Sequence, residues 1–230
     1  MNLNVKPIIE DSVDQITGIC IAIARFDLGI EQQHIGFLYR DGDNLTKLLH
    51  LAWHYILKKE DPSKVYLWME IPFDELNQIN TAAFLESIYD SNPDGIPYGI
   101  CIDGTRFEAD GAFFFLEKGA GLTCATFVMQ VFQHLGYNII DKDCWEFRDS
   151  DKEWQNQIID DLENYGAPKE YITYQRNKIQ GGVARFKPEE VAVASVLSSP
   201  PYALKDIIEP SQNLLELIVA HAKKLASEKN

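Results

Sequence analysis

The chain has 230 residues, 46% of them hydrophobic, and a formal net charge of −14 at pH 7. A chain of this length can bury one full core, because domains usually contain about 100–200 residues. The acidic balance argues against a nucleic-acid partner, since affinity for phosphates depends mainly on Lys and Arg. No apolar run approaches the ~20 residues that cross a bilayer. The first residues lack the basic start and apolar core of a signal peptide, so we expect a cytoplasmic protein unless a dedicated system delivers it elsewhere.

Hydrophobic patterning predicts strands near residues 16–26, 33–40 and 65–71. The segment 45–57 fits a strand and also fits a helix, and its periodicity does not decide between them. Asp74 can cap a helix that runs to about residue 89.

The second half of the chain is predicted to be mainly helical. A helix is expected from about residue 123 to residue 135, where apolar residues recur at three- and four-residue steps before Gly136. Residues 150–178 are polar and helix-prone, and Pro188 fits the first turn of another helix. A final amphipathic helix is expected from about residue 211 to residue 227.

Cys124 lies where a glycine-rich stretch turns into the predicted helix 123–135. In the first helical turn, unpaired N–H groups and the positive end of the dipole favour a thiolate. The same N–H groups could stabilise the oxyanion of an acyl-transfer intermediate. The alternative is that Cys124 is a small buried hydrophobe, as free cysteines often are.

The other three cysteines show no sign of a metal site. Cys20, Cys101 and Cys144 have neither Cys-x-x-Cys spacing nor a histidine partner, so we expect no zinc and no other cofactor. Cys20 and Cys101 fit core strand positions, whereas Cys144 follows a charged turn. Reduced thiols in a cytosol are the simplest interpretation.

Five histidines could act as the base for a thiol nucleophile. His34 opens a strand-like segment, and Gly36 is expected to leave open space beside its imidazole. His134 lies ten residues beyond Cys124 on the same predicted helix, about 15 Å along the axis, which excludes it. His221 belongs to the C-terminal amphipathic helix, where a solvated surface position is expected.

The position of His50 depends on the register of a possible hairpin. A three-residue loop would pair Arg40 with Asn44 and place His34 directly across from His50. A two-residue loop would pair Asp41 with Asn44 and send His50 to the opposite face, because side chains alternate with period two. The sequence permits both registers.

Together these residues carry a resemblance to a known family. A His34-x-Gly-aromatic-Leu-Tyr-x-Asp-Gly segment, a histidine on the next strand and a later Cys124-x-x-Phe-Val at a helix start resemble the circularly permuted branch of the NlpC-type papain-like superfamily. That branch includes the lecithin retinol acyltransferase relatives and bacterial permuted amidases, and the likeness spans about residues 18–140. It implies that Cys124 is the nucleophile, His34 its general base and His50 the residue that orients the imidazole.

The chain also departs from that family. The acyltransferase relatives have an Asn-Cys-Glu-His type of motif, whereas this chain has Thr-Cys-Ala-Thr at residues 123–126, so lipid acyl transfer is not implied. The step from His34 to His50 is longer than the family's usual spacing. His54, or a carboxylate such as Asp43, is therefore an alternative for the orienting role.

The resemblance implies an α+β, papain-like fold in which an antiparallel sheet packs on the helix that carries the nucleophile. We expect residues 1–145 to form this catalytic core and residues 146–230 to add a helical layer to the same domain. The implied activity is a cysteine hydrolase, amidase- or peptidase-like, that cleaves an amide or ester of a small-molecule, peptide or lipid substrate through a thioester. The alternatives are a thiol acyltransferase and a non-enzymatic binding or assembly protein that keeps the fold.

Overall fold

A computed structural model describes residues 3–9, 16–29 and 31–228 and contains a six-stranded antiparallel sheet. Its strands are β1 (Lys6–Pro7), β2 (Cys20–Ala24), β3 (His34–Arg40), β4 (Thr46–Trp53), β5 (Ile56–Glu60) and β6 (Leu67–Glu70). Their order across the sheet is β1-β6-β2-β3-β4-β5. Two further strands, β7 (Thr105–Phe107) and β8 (Phe113–Phe115), form a separate antiparallel pair.

Six α-helices accompany the sheet in the described part of the chain. They are α1 (Glu75–Ser91), α2 (Cys124–His134), α3 (Lys152–Asn164), α4 (Lys169–Gln180), α5 (Pro188–Val196) and α6 (Leu204–Ser227). The expected α+β class, the antiparallel sheet and the C-terminal helices are thereby confirmed. None of the helices within the described residues is long and apolar enough to cross a membrane.

The sheet buries both of its faces. On one face, Ile35 and Phe37 of β3 belong to the same buried cluster as Cys124 and Phe127 of α2, and the Phe37 and Phe127 rings lie 6.4 Å apart. Val191 and its neighbours on α5 join that cluster, so the C-terminal helices share a core with the sheet. The other face carries a smaller cluster around Leu38, Leu48 and Trp68. The alternation follows from the period-two geometry of a strand.

The segment 45–57 is extended, with one interruption. β4 ends at Trp53, and the chain turns through His54 and Tyr55, which has a φ of 57°, before β5 begins. The two strands then form their own hairpin, in which His50 pairs with Lys58.

The final helix begins earlier than the predicted residue 211. α6 starts at Leu204 and continues through Pro210. The carboxylate of Asp206 accepts the N–H of Ala203 at 3.2 Å, which stabilises the earlier start. Ile207 is buried and holds the added turns against the core.

Candidate functional site

A capping box fixes the start of α2. The Thr123 hydroxyl accepts the N–H of Thr126 at 3.1 Å, and the Thr126 hydroxyl accepts the N–H of Thr123 at 2.8 Å. Two of the unpaired donors of the helix start are therefore satisfied by side chains. Cys124 is the first helical residue, as the periodicity of the sequence predicted.

The Cys124 thiol is almost fully buried, at 3% exposure. Burial raises its pKa to about 11, although the N–H groups of Ile35 and Ala125 and the hydroxyl of Tyr98 oppose the rise. The helix start thus favours the thiolate as the sequence suggested, but desolvation outweighs it. Cys124 is a neutral thiol at pH 7 in this closed arrangement.

His34 and His50 are in direct contact. The His34 Nε2 atom lies 2.6 Å from His50 Nδ1, and the His50 Nε2 atom lies 3.1 Å from a carboxylate oxygen of Glu60. We call these three residues the histidine chain. Its alignment satisfies the general requirement that a base be oriented by further groups.

The histidine chain fixes the tautomer of both rings. Burial lowers the pKa of His34 to about 3, with further lowering by the charges of His50 and Lys58. Burial also lowers the pKa of His50, against the opposing effect of Glu60, so both rings are neutral at pH 7. The Glu60 carboxylate only accepts, so His50 carries its proton on Nε2 and accepts the Nε2–H of His34 at Nδ1. His34 Nδ1 is consequently the nitrogen with the free lone pair.

The register of the β3-β4 hairpin differs from both sequence-based alternatives. Arg40 pairs with Thr46 and Phe37 with Leu49, so the connection holds five residues, 41–45. Within it, the Asp41 carboxylate accepts the N–H groups of residues 43 and 45. In this register His50 is not directly opposite His34, but the two side chains still share a face and meet diagonally.

The space beside Gly36 is filled rather than open, which corrects the expectation for that residue. A Cβ atom at Gly36 would lie 2.7 Å from the Cβ of His50 and 2.8 Å from the carbonyl oxygen of Leu49. The glycine is therefore needed for the close approach of β4. It allows the His50 ring to reach His34.

Cys124 approaches β3 at its main chain. By strand alternation, His34 and His50 share the face of Gly36 and Leu38, whereas Cys124 belongs to the cluster on the opposite face. The sulfur approaches the main chain at the start of β3, where the N–H of Ile35, the residue after His34, is directed at it. Among the described residues, no hydrogen bond joins the thiol to the His34 ring.

The alternatives for the orienting role lie in other surroundings. His54 Nδ1 accepts the N–H of Tyr98 at 3.0 Å and is buried, and Asp43 is exposed in the hairpin connection. Glu60 was missed by the sequence analysis. Because Glu60 lies two residues beyond Lys58, which pairs with His50, the strand period could have placed it on the His50 face once β5 was recognised.

The remaining histidines have structural partners. His134 stacks on Phe84 with ring centroids 4.0 Å apart and contacts the carbonyl oxygen of Phe107 at 3.1 Å. His221 is half-buried rather than fully solvated, because its Nε2 atom lies 2.8 Å from the carbonyl oxygen of Lys64. Cys20 and Cys101 are buried, as predicted, and Cys144 is exposed. Cys20 opens β2, but Cys101 lies in the connection between α1 and β7, so the strand position predicted for it is wrong.

A closed cavity of about 10 Å³, the thiol cavity, adjoins Cys124. Its walls come from the loop before β3, the start of α2, and the helical region 154–188. They consist of Gln32, Gln33, Tyr98, Thr123, Cys124, Ala125, Trp154, Arg185, Phe186 and Pro188. A space of this size holds about one water molecule. A cavity of about 460 Å³ lies beside Cys101 and Lys178 and shares Phe186 with the thiol cavity.

The residues that the structure describes contain no cluster of three or more His, Cys, Asp or Glu side chains arranged to hold a metal ion. Comparison of the chain with protein-family models, curated proteins and solved structures gives no significant match.

Proposed function

We propose that the protein is a cysteine hydrolase of the permuted papain-like type, which cleaves an amide or ester through a thioester at Cys124. The observation that carries the proposal is the histidine chain, which leaves a free lone pair on His34 Nδ1. The next residue along β3, Ile35, directs its N–H at the Cys124 sulfur. An oriented base of this kind is what a thiol nucleophile requires.

The proposed reaction uses only groups of this chain, substrate and water. The Cys124 and His34 side chains lie on opposite faces of the sheet, so the reaction requires a rearrangement at the start of β3 that brings the sulfur to His34 Nδ1. The imidazole then takes the thiol proton, and the thiolate attacks the acyl carbon. The N–H groups at the start of α2 stabilise the oxyanion, and His34 returns its proton to the leaving amine or alcohol. Water then attacks the thioester with the same base, which releases the acid and restores the thiol. His50 and Glu60 set the tautomer of His34 before the reaction begins.

The thiol cavity has room for about one water molecule. Substrate entry therefore requires that part of its wall be displaced. Trp154, Arg185 and Phe186 belong to the C-terminal helical region and form that wall. The thiol and the imidazole are both neutral before substrate enters, so the reaction begins from a neutral pair.

The second candidate is a non-enzymatic binding protein that keeps this fold. It is favoured by the 3% exposure of Cys124 and by the burial that raises its pKa to about 11. In that case the sulfur is a core atom, and the histidine chain is a buried polar network.

Hydrolysis of p-nitrophenyl esters and of matching p-nitroanilides separates the two candidates. We expect Cys124→Ala to reduce the rate to that of buffer, and His34→Ala to reduce kcat about 10²–10⁴-fold, the usual size of general base catalysis. Cys101→Ala, at another buried thiol, is the matched control and should keep the activity. Equal rates for the Cys124→Ala variant and the unmodified protein would exclude the hydrolase.

A further inference from the structure

A second cavity, of about 400 Å³, lies against the wall of the thiol cavity. We call it the acidic cavity. It is formed by the loop before β3 and the starts of α3 and α5, and it shares Gln33, Trp154 and Arg185 with the thiol cavity. A molecule bound there would contact side chains that also line the thiol cavity.

The acidic cavity contains buried polar atoms without a partner among the described residues. The Arg185 side chain is 9% exposed, and its Nε atom has no acceptor. Its guanidinium stacks 3.6 Å above the Trp154 ring, whose Nε1 atom also has no acceptor. The cavity lining also includes an unpartnered acceptor, the Oε2 atom of Glu189, a residue that is only 6% exposed.

Leaving such groups unsatisfied is costly in the interior of a protein. Two donors and one acceptor lie just behind the surface of one cavity, on residues that line it. A ligand that satisfied them after a small movement of these side chains would need at least one acceptor and one donor of its own. A fatty acyl chain has no donor to offer Glu189.

The charges of the lining residues indicate the charge of the donor group on the ligand. Four carboxyl residues, Glu31, Asp151, Glu153 and Glu189, face two cationic ones, Arg185 and Lys187. The cations are concentrated on Asp151, whose carboxylate lies 3.5 Å from Arg185, 3.4 Å from Lys187 and 2.6 Å from Arg148. Burial raises the pKa of Glu189, and the charges of Arg185 and Lys187 oppose that rise. Carboxyl residues still outnumber cationic ones in the lining, and this balance favours a cationic ligand group.

We propose that the acidic cavity binds the amino end of the substrate, so that the preferred substrate is an amide or ester whose acyl part carries a free ammonium group. The ammonium donates to Glu189, and a carbonyl oxygen accepts from Arg185 and Trp154. This assignment rests on the proposed hydrolase, and it makes Arg185 and Glu189 specificity-determining residues.

Binding can be measured without catalysis by titrating the Cys124→Ala protein calorimetrically with alanyl-alaninamide and with N-acetyl-alanyl-alaninamide. We expect the free amine to bind about tenfold or more tightly, a difference of about 1.4 kcal/mol. Glu189→Gln should abolish that preference and leave the acetylated peptide unaffected. Arg185→Lys, which keeps the charge but removes the Nε donor, should weaken both peptides.

Glu146→Gln, at an exposed glutamate outside the cavity, is the matched control and should change neither affinity. Because Glu189 is buried, Glu31→Gln at the exposed rim is a second variant, and it should weaken only the free amine at low salt. Equal affinity for the two peptides, a preference for the acetylated one, or no saturable heat from either would overturn the proposal. Ester hydrolysis by the unmodified protein tests the hydrolase proposal separately. Failure of the amine-binding proposal and failure of the hydrolase proposal can therefore be told apart.

Discussion

Replacing His34 with Gln perturbs the acid stability of the fold in a direction that the structure fixes. Burial lowers the pKa of His34 from 6.5 to about 3 in the folded state, so the unfolded chain binds this proton more readily. The contribution of His34 to stability is therefore complete above pH ~6.5 and is lost as the pH falls toward 3. Between pH 7 and pH 5 the linkage relation gives a loss of about 2 kcal/mol from this residue. Solvent screening of the partly exposed ring reduces the expected value to about 1–2 kcal/mol.

Urea unfolding of both proteins at pH 7 and at pH 5 measures this contribution. The carboxylates contribute to the pH dependence of the unmodified protein and of the variant alike. The difference between the two proteins in free energy of unfolding lost from pH 7 to pH 5 therefore isolates His34. We expect the unmodified protein to lose about 1–2 kcal/mol more free energy of unfolding than the His34→Gln variant. His221→Gln is the matched control, since its ring lies on a different element, and it should follow the unmodified protein. Equal losses in the His34→Gln and unmodified proteins would refute the burial-based lowering of this pKa.

Two further changes test the packing around the site. Gly36→Ala brings a methyl group to 2.7 Å from the Cβ of His50, and we expect it to cost about 1–3 kcal/mol in urea unfolding; an unchanged midpoint would show that β4 can move away freely. Phe186→Ala should open the wall of the thiol cavity and speed alkylation of Cys124 by iodoacetamide, measured by peptide mass spectrometry with the exposed Cys144 replaced by Ser in both proteins. An unchanged rate would mean that Phe186 does not control access to the sulfur.

Local sequence signals were sufficient for the helix that carries Cys124. Apolar residues at helical spacing before Gly136 predicted a helix from about residue 123, and α2 begins at Cys124. The strands around 33–40 and 65–71 were predicted in the same way, and β3 and β6 lie within those ranges. Each of these elements has its own period and its own end signals, so no distant contact was needed to recognise it.

The register of the histidines depended on information that local pattern does not contain. Asp-Gly suggested a tight turn, but the Asp41 carboxylate stabilises a longer connection. The observed register differs by two residues from the one that a three-residue loop would give. Because a shift of two keeps each side chain on its face, His34 and His50 nevertheless meet. Predicting the contact between His34 and His50 would have required knowledge of how β3 pairs with β4.

The burial of Cys124 could not be predicted from its neighbours in sequence. Its covering residues, Trp154, Arg185 and Phe186, lie 30 or more positions further along the chain. A helix start favours the thiolate by a local effect, whereas desolvation depends on how the whole C-terminal region packs. The same long-range packing creates the acidic cavity.

Formation of an acyl-enzyme at Cys124 is the most direct test of the proposed hydrolase. The protein is mixed with p-nitrophenyl acetate, quenched in acid within the first turnover, and analysed by intact mass and peptide mapping. We expect one acetyl group per chain, located on Cys124, absent from Cys124→Ala and formed far more slowly in His34→Ala. Acetylation confined to lysines or to the exposed Cys144, or labelling of Cys124 only after unfolding, would contradict a catalytic role for this thiol.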